Sequence, residues 1–160
     1  MTDILKDAIL SEDGVYRYNL IREWDSMDPV MLFIMLNPST ADAVDDDPTI
    51  RRCTSFAQRE NCGMIEVVNL FAFRATDPKE LKTAEEPIGA DNDEIIVMAA
   101  EEADIIVCAW GTNGALYERN EKVISLLQSV EKPIMCLGKT KDGHPKHPLY
   151  LPANAELIEL

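Results

Sequence analysis

The sequence predicts an α/β protein, a three-layer build in which a mostly parallel central sheet of about four core strands carries helices on both faces. Apolar runs with little alternation recur at residues 30–36, 65–70, 104–110 and 133–137, as expected of strands buried on both faces. Segments with helical spacing and helix-start residues separate these runs, so strand and helix alternate along the chain. At 160 residues the chain suits one domain with a sizeable core, and it shows no internal repeat or long linker.

The elements follow in order. Residues 15–24 roughly alternate and are rich in strand formers, which predicts an edge strand, antiparallel to the rest. The run Val30–Leu36 is the first buried strand, and Pro38, which cannot donate to a sheet ladder, ends it. A helix then opens at Asp47-Pro48-Thr49, with Asp47 as N-cap, Pro48 at the first helical position, and Ile50, Cys53 and Ala57 on one face. After Gly63 comes the strand Ile65–Leu70. Asp91-x-x-Glu94 resembles a capping box and starts a helix that carries Ile95, Met98 and Ala99 inward. Asp104–Trp110 is the third core strand, closed by Gly111. Leu116, Val123 and Leu127 mark a helix through residues 115–129, and Pro133–Leu137, closed by Gly138, is the fourth core strand.

Composition excludes several classes. The net charge of −14 disfavours nucleic acid as a partner, because phosphate contacts need Lys and Arg, and leaves a small molecule or nucleotide as the expected ligand. No apolar run approaches the roughly 20 residues of a membrane span, and Met1–Asp7 lacks the order of a signal peptide, so a cytoplasmic location is expected. Cys53, Cys62, Cys108 and Cys136 never approach CxxC spacing, so no zinc is expected. GxSxG, the P-loop and GxGxxG are absent, and the sequence implies no cofactor.

In a parallel sheet the loops after successive strands converge at one edge, where open α/β proteins bind ligands. Here those loops carry Asn37, Ser39, Thr40 and Asp42 after the first core strand, and Asn69, Phe71 and Arg74 after the second. Trp110 and Gly111 follow the third. The loop after the fourth holds His144 and His147, the only histidines. An imidazole serves as acid, base or donor near neutral pH, and His147, next to Pro148 where the loop re-enters ordered structure, ranks above His144. Arg74 reads either as a clamp for phosphate or carboxylate or as an ion-pair partner of Asp77 or Asp42. Trp110 reads as a stacking platform for a flat base or as core packing. Asp45-Asp46-Asp47 reads as a solvated loop whose last residue caps a helix, or as a magnesium site.

The motifs Leu36-Asn37-Pro38-Ser39-Thr40-Ala41-Asp42, Asp46–Cys53, Val68-Asn69-Leu70-Phe71-Ala72, Arg74-Ala75-Thr76-Asp77-Pro78, Trp110-Gly111 and His147-Pro148-Leu149-Tyr150 together resemble the bacterial and phage family known as domain of unknown function 1643. A more distant resemblance is to the uracil-DNA-glycosylase-like superfamily, carried by Asn37-Pro38-Ser39, Trp110-Gly111 and His147-Pro148-Leu149 in that order. In this chain Met35-Leu36 replace the glycine that opens that superfamily's first motif, and Leu149 replaces a serine. The likeness implies that Asn37 or Asp42 orients a water, that Asn69 or Phe71 reads a base, and that His147 stabilises a departing base anion. The function expected is therefore a nucleobase, nucleotide or nucleic-acid-end pocket, with hydrolysis of an N-glycosidic bond as its reaction. The alternatives are a non-catalytic binding or adaptor protein on the same fold and a magnesium-dependent phosphohydrolase built on Asp42 and Asp45–Asp47.

Overall fold

In the computed structural model, which describes residues 4–160, the chain opens with two strands, β1 (Leu5–Leu10) and β2 (Arg17–Glu23). It continues through β3 (Val30–Met35), α1 (Pro48–Arg59), β4 (Met64–Asn69), a short α2 (Glu80–Thr83), α3 (Asn92–Glu102) and β5 (Ile105–Cys108). A 3₁₀ segment (Thr112–Glu118), α4 (Arg119–Leu127), β6 (Ile134–Cys136), a 3₁₀ turn (Pro148–Tyr150) and β7 (Ile158–Glu159) complete it. The strands form one seven-stranded sheet in the order β1-β2-β4-β3-β5-β6-β7.

This sheet corrects the expected one. β3–β4, β3–β5 and β5–β6 pair in parallel, whereas β1–β2, β2–β4 and β6–β7 are antiparallel. The sheet is thus mixed, with antiparallel edges. It is not the mostly parallel sheet of about four core strands that the apolar runs suggest, nor the one that the uracil-DNA-glycosylase-like resemblance implied. The reason lies in the strands that the apolar pattern does not mark. β1 mixes charge with apolar residues and is largely exposed, and β7 is two residues long. β1 also covers β2, so residues 15–24 supply an interior strand and not an edge.

Alternation along β3 divides the core. Met31, Phe33 and Met35 face Ile50, Cys53, Phe56 and Ala57 of α1, while Leu32 and Ile34 face Ile96, Ala99 and Ala100 of α3 and Val123 and Leu127 of α4. The start of α1 is fixed as its sequence dictates: Asp47 Oδ1 accepts the Ile50 N–H at 2.9 Å and Pro48 occupies the first turn. α3 departs from expectation. The Asp91 side chain makes no cap bond, and Met98 is exposed while Ile96 is buried. α4 begins at Arg119 and not near residue 115, because Tyr117 and Glu118 both adopt left-handed backbone at φ 55° and break the helix. Among the described residues no helix is long and apolar enough to cross a membrane.

Candidate functional site

A cavity of about 740 Å³ opens where β3, β4 and β5 end. Asn37, Pro38 and Ser39 reach it from β3, Asn69 from β4, and Trp110 and Gly111 from β5, while Lys146 and His147 come from the loop beyond β6. Asp47 and Thr49, at the start of α1, add a further wall. The last contributor is Arg17. Because β2 runs antiparallel to β4, its first residue lies at the edge where β4 finishes. The β1–β2 register also shifts, from Ile9↔Asn19 to Leu10↔Arg17, leaving Tyr18 as an extra residue. Such a bulge re-aims side chains, and Arg17 turns to the α1 side, where its Nη1 donates to the Ala41 carbonyl at 2.9 Å.

The wall contains polar groups that the protein leaves without partners. Arg17, Asn69 and Trp110 are each at least nine-tenths buried. Yet Arg17 Nε, Asn69 Nδ2 and Trp110 Nε1 bond to nothing among the described residues. Among the described residues no carboxylate lies within 4 Å of the Arg17 guanidinium, and burial lowers its pKa to about 10, partly opposed by Asp47, so it stays charged at neutral pH. Buried polar groups are nearly always hydrogen-bonded, so three orphans in one cavity call for an explanation. Gly114 helps to set the indole, since a Cβ at that position would overlap the Trp110 ring. Gly111, at φ 73°, makes the turn out of β5 that glycine accommodates without strain.

His147 is held in one tautomer. Its Nδ1 accepts the Leu149 N–H at 3.2 Å and caps the 3₁₀ turn, so in the neutral ring the proton sits on Nε2, which bonds to no group among the described residues. Burial lowers its pKa, with Asp47 opposing, and favours that neutral form. Asn37 spends its amide protons on the Ala75 carbonyl at 2.7 Å and the Pro38 carbonyl at 3.1 Å, leaving Oδ1 as an acceptor. Tyr150, 84 % exposed, stands at the mouth with its ring 5.9 Å from that of His147.

Of the residues singled out from sequence, Asn37, Ser39, Asn69, Trp110 and His147 share this cavity. Thr40 and Arg74 line a smaller one of about 510 Å³ beside it. Arg74 donates to the Gly14 carbonyl at 3.4 Å and has no carboxylate within 4 Å among the described residues, so it pairs with neither Asp77 nor Asp42. Asp42 lines neither cavity. Its Oδ1 accepts the N–H groups of Val44 and Asp45 at 2.8 and 2.7 Å, and those bonds lower its pKa. Phe71 is fully buried in the α3 side of the core, edge-on to Tyr117.

The aspartate run is equally committed. Asp46 pairs with Arg22 at 2.7 Å and Lys6 at 3.8 Å, and Asp47 caps α1. Among the described residues no group of three or more His, Cys, Asp or Glu is placed to hold a metal ion. All four cysteines are free and buried, and burial pushes the Cys53 thiol far above its usual range, so it stays protonated and packs against Met35 Sδ.

Arg17 and Lys146, to which the sequence pattern assigns no site role, join the wall, as does Asp47, the cap of α1. Arg17 had one legible signal, a charged residue between Tyr16 and Tyr18 inside a strand pattern. The molecule is thus an α/β protein whose mixed sheet ends in a cavity of unpartnered hydrogen-bond donors. It belongs to the family described as Protein of unknown function (DUF1643), which it matches over residues 17–149. The match begins at Arg17 and takes in every residue named above for the cavity except Tyr150, while β1 and β7 lie outside it. No curated protein and no solved structure matches the chain.

Proposed function

We propose that the cavity binds a nucleotide, with the base held in its interior and the phosphate at Arg17. The observation that carries this reading is the convergence of the partnerless Arg17 Nε, Asn69 Nδ2 and Trp110 Nε1 in one cavity. With His147 Nε2–H they make a donor-rich wall, and the acceptor Asn37 Oδ1 lines the same cavity. Such a wall complements a flat ring that carries carbonyl oxygens, because leaving buried donors unpaired costs about 1–3 kcal/mol each. A base with that edge and a phosphate for the guanidinium satisfies all of them at once. The volume of about 740 Å³ falls in the range of small-molecule sites. Arg17 and Lys146 outweigh Asp47, the sole carboxylate on the wall, so the cavity favours an anion within an acidic protein.

The test is a thermal-shift series over uracil, uridine and the four common nucleoside 5′-monophosphates. Stabilisation by a monophosphate, lost in Arg17→Gln and His147→Ala variants that still fold, supports the reading. Because His147 also caps a turn, His147→Asn is the control that keeps an acceptor there. Absence of a shift with every compound overturns the reading.

Hydrolysis of the glycosidic bond is the second reading, favoured by the neutral His147 with its proton on Nε2. In that step a water held by Asn37 Oδ1 adds to the sugar C1′, the C1′–N bond breaks, and the proton the water releases ends on the departed base. Its electron pair leaves with the base, whose developing negative oxygen accepts a hydrogen bond from His147 Nε2–H. Free base accumulating in the binding mixture supports hydrolysis, and a complex that persists unchanged supports a binding module.

A further inference from the structure

The smaller cavity meets the larger one along a shared wall. Ser39, Ala75 and Thr76 line both, with Arg17 on one side of that wall and Arg74 on the other. Around Arg74 stand the hydroxyls of Ser39, Thr40 and Thr76, with the Glu80 carboxylate also on the lining. The two arginines lie close enough for Arg74 to disfavour the charge on Arg17. Unlike Arg22, which Asp46 neutralises at 2.7 Å, neither has a carboxylate within 4 Å among the described residues. Two adjacent cations with no carboxylate in ion-pair range repel each other and gain from an anion that spans them.

Building on the nucleotide reading, we propose that the ligand carries a second phosphate, seated against Arg74 and the Ser39, Thr40 and Thr76 hydroxyls. The ligand class is then a nucleoside diphosphate or a molecule linked through a pyrophosphate. The first phosphate sits at Arg17 and the chain of phosphates crosses the Ser39–Thr76 wall. A phosphodiester in a short strand offers the same group, but the net charge of −14 repels an extended polyanion, so the small diphosphate is favoured.

Isothermal titration at fixed salt tests this with the best-bound nucleoside 5′-monophosphate, its 5′-diphosphate and the matching 5′-phosphorylated dinucleotide. The diphosphate is expected to bind on the order of 10-fold tighter than the monophosphate, the gain of a charge-assisted contact. Arg74→Gln should erase that gain, bringing the diphosphate down to the affinity of the monophosphate, while Arg74→Lys retains part of it. Equal affinities for the mono- and diphosphate, a gain that survives Arg74→Gln, or a dinucleotide that outbinds the diphosphate each overturn the second-phosphate assignment alone. If no mononucleotide binds, the nucleotide reading and this extension fall together.

Discussion

The aspartate loop at residues 42–47 and the cavity wall it adjoins are both dense in polar groups, yet their polar groups are in opposite states. In the loop the side chains of Asp42, Asp46 and Asp47 are spent. Asp42 ties two backbone N–H groups, Asp46 holds Arg22, and Asp47 caps α1. Arg22 in turn donates to the carbonyls of Ile21 and Asp42 at 2.9 and 2.6 Å. On the wall Arg17, Asn69 and Trp110 are as deeply buried as Arg22 but leave donors unbonded. Satisfied polar groups stabilise the fold; unsatisfied ones destabilise it and are retained where a ligand supplies the missing partners.

The sharpest way to break the contrast is to exchange the behaviour of the two buried arginines. Arg22→Met strands Asp46 and several carbonyls, and should cost about 3 kcal/mol in denaturant unfolding, the low end for one partner of a buried pair because Asp46 is partly exposed. Arg17→Gln should do the reverse. Ligand affinity falls roughly 10- to 100-fold by calorimetry while stability holds or rises, since an unpaired buried charge is removed. If Arg17→Gln unfolds the protein as Arg22→Met does, the contrast fails.

Smaller effects refine it. Asp42→Ala loses two backbone contacts and should lower Tm slightly with nucleotide affinity unchanged. A large loss of affinity would return Asp42 to the site. The pH dependence carries the sign of the His147 shift. Burial lowers its folded pKa below the usual imidazole value, so the stability it contributes is present above that value and is lost as pH falls through the folded pKa. The Tm of the wild type should therefore drop more than that of His147→Asn on going from neutral to mildly acid pH. Glu66 shifts the other way. It is buried beside Asn19, and burial raises its carboxyl pKa, so its contribution is present at acid pH and lost as pH rises through the folded value. Glu66→Gln should raise Tm at pH 7 and give no gain below the usual carboxylate range.

The parts of this protein legible in its sequence are those fixed by local chemistry. The unalternating run Val30–Met35 becomes a strand in the middle of the sheet, and Asp47-Pro48 starts a helix, because burial on two faces and cap geometry act within a few residues. The sheet's edges were hidden because Leu5–Leu10 pairs along one side only and exposes most of its residues, leaving no apolar period to read. Phe71 reads as a ligand contact in the sequence, but it follows β4 into the core, where it meets Tyr117 edge-on. Arg17 was hidden for a deeper reason. Its place in the cavity depends on β2 running antiparallel beside β4 and on the bulge at Tyr18, which are properties of pairing and not of any short motif. The same limit applies to Asp42, whose loop-folding role appears only once Val44 and Asp45 turn back upon it.

The two tryptophans put the central claim to its most direct test. Trp24 Nε1 donates to the Cys62 carbonyl at 3.1 Å, whereas Trp110 Nε1 has no partner. In ¹H–¹⁵N spectra these indoles give two resolvable signals, since the chain holds no other tryptophan. On titration with the nucleoside 5′-monophosphate that best stabilises the protein, the Trp110 indole N–H is predicted to move downfield as it gains an acceptor, with Trp24 fixed. A saturating titration in which the Trp110 signal stays still contradicts the claim that its free N–H awaits a ligand.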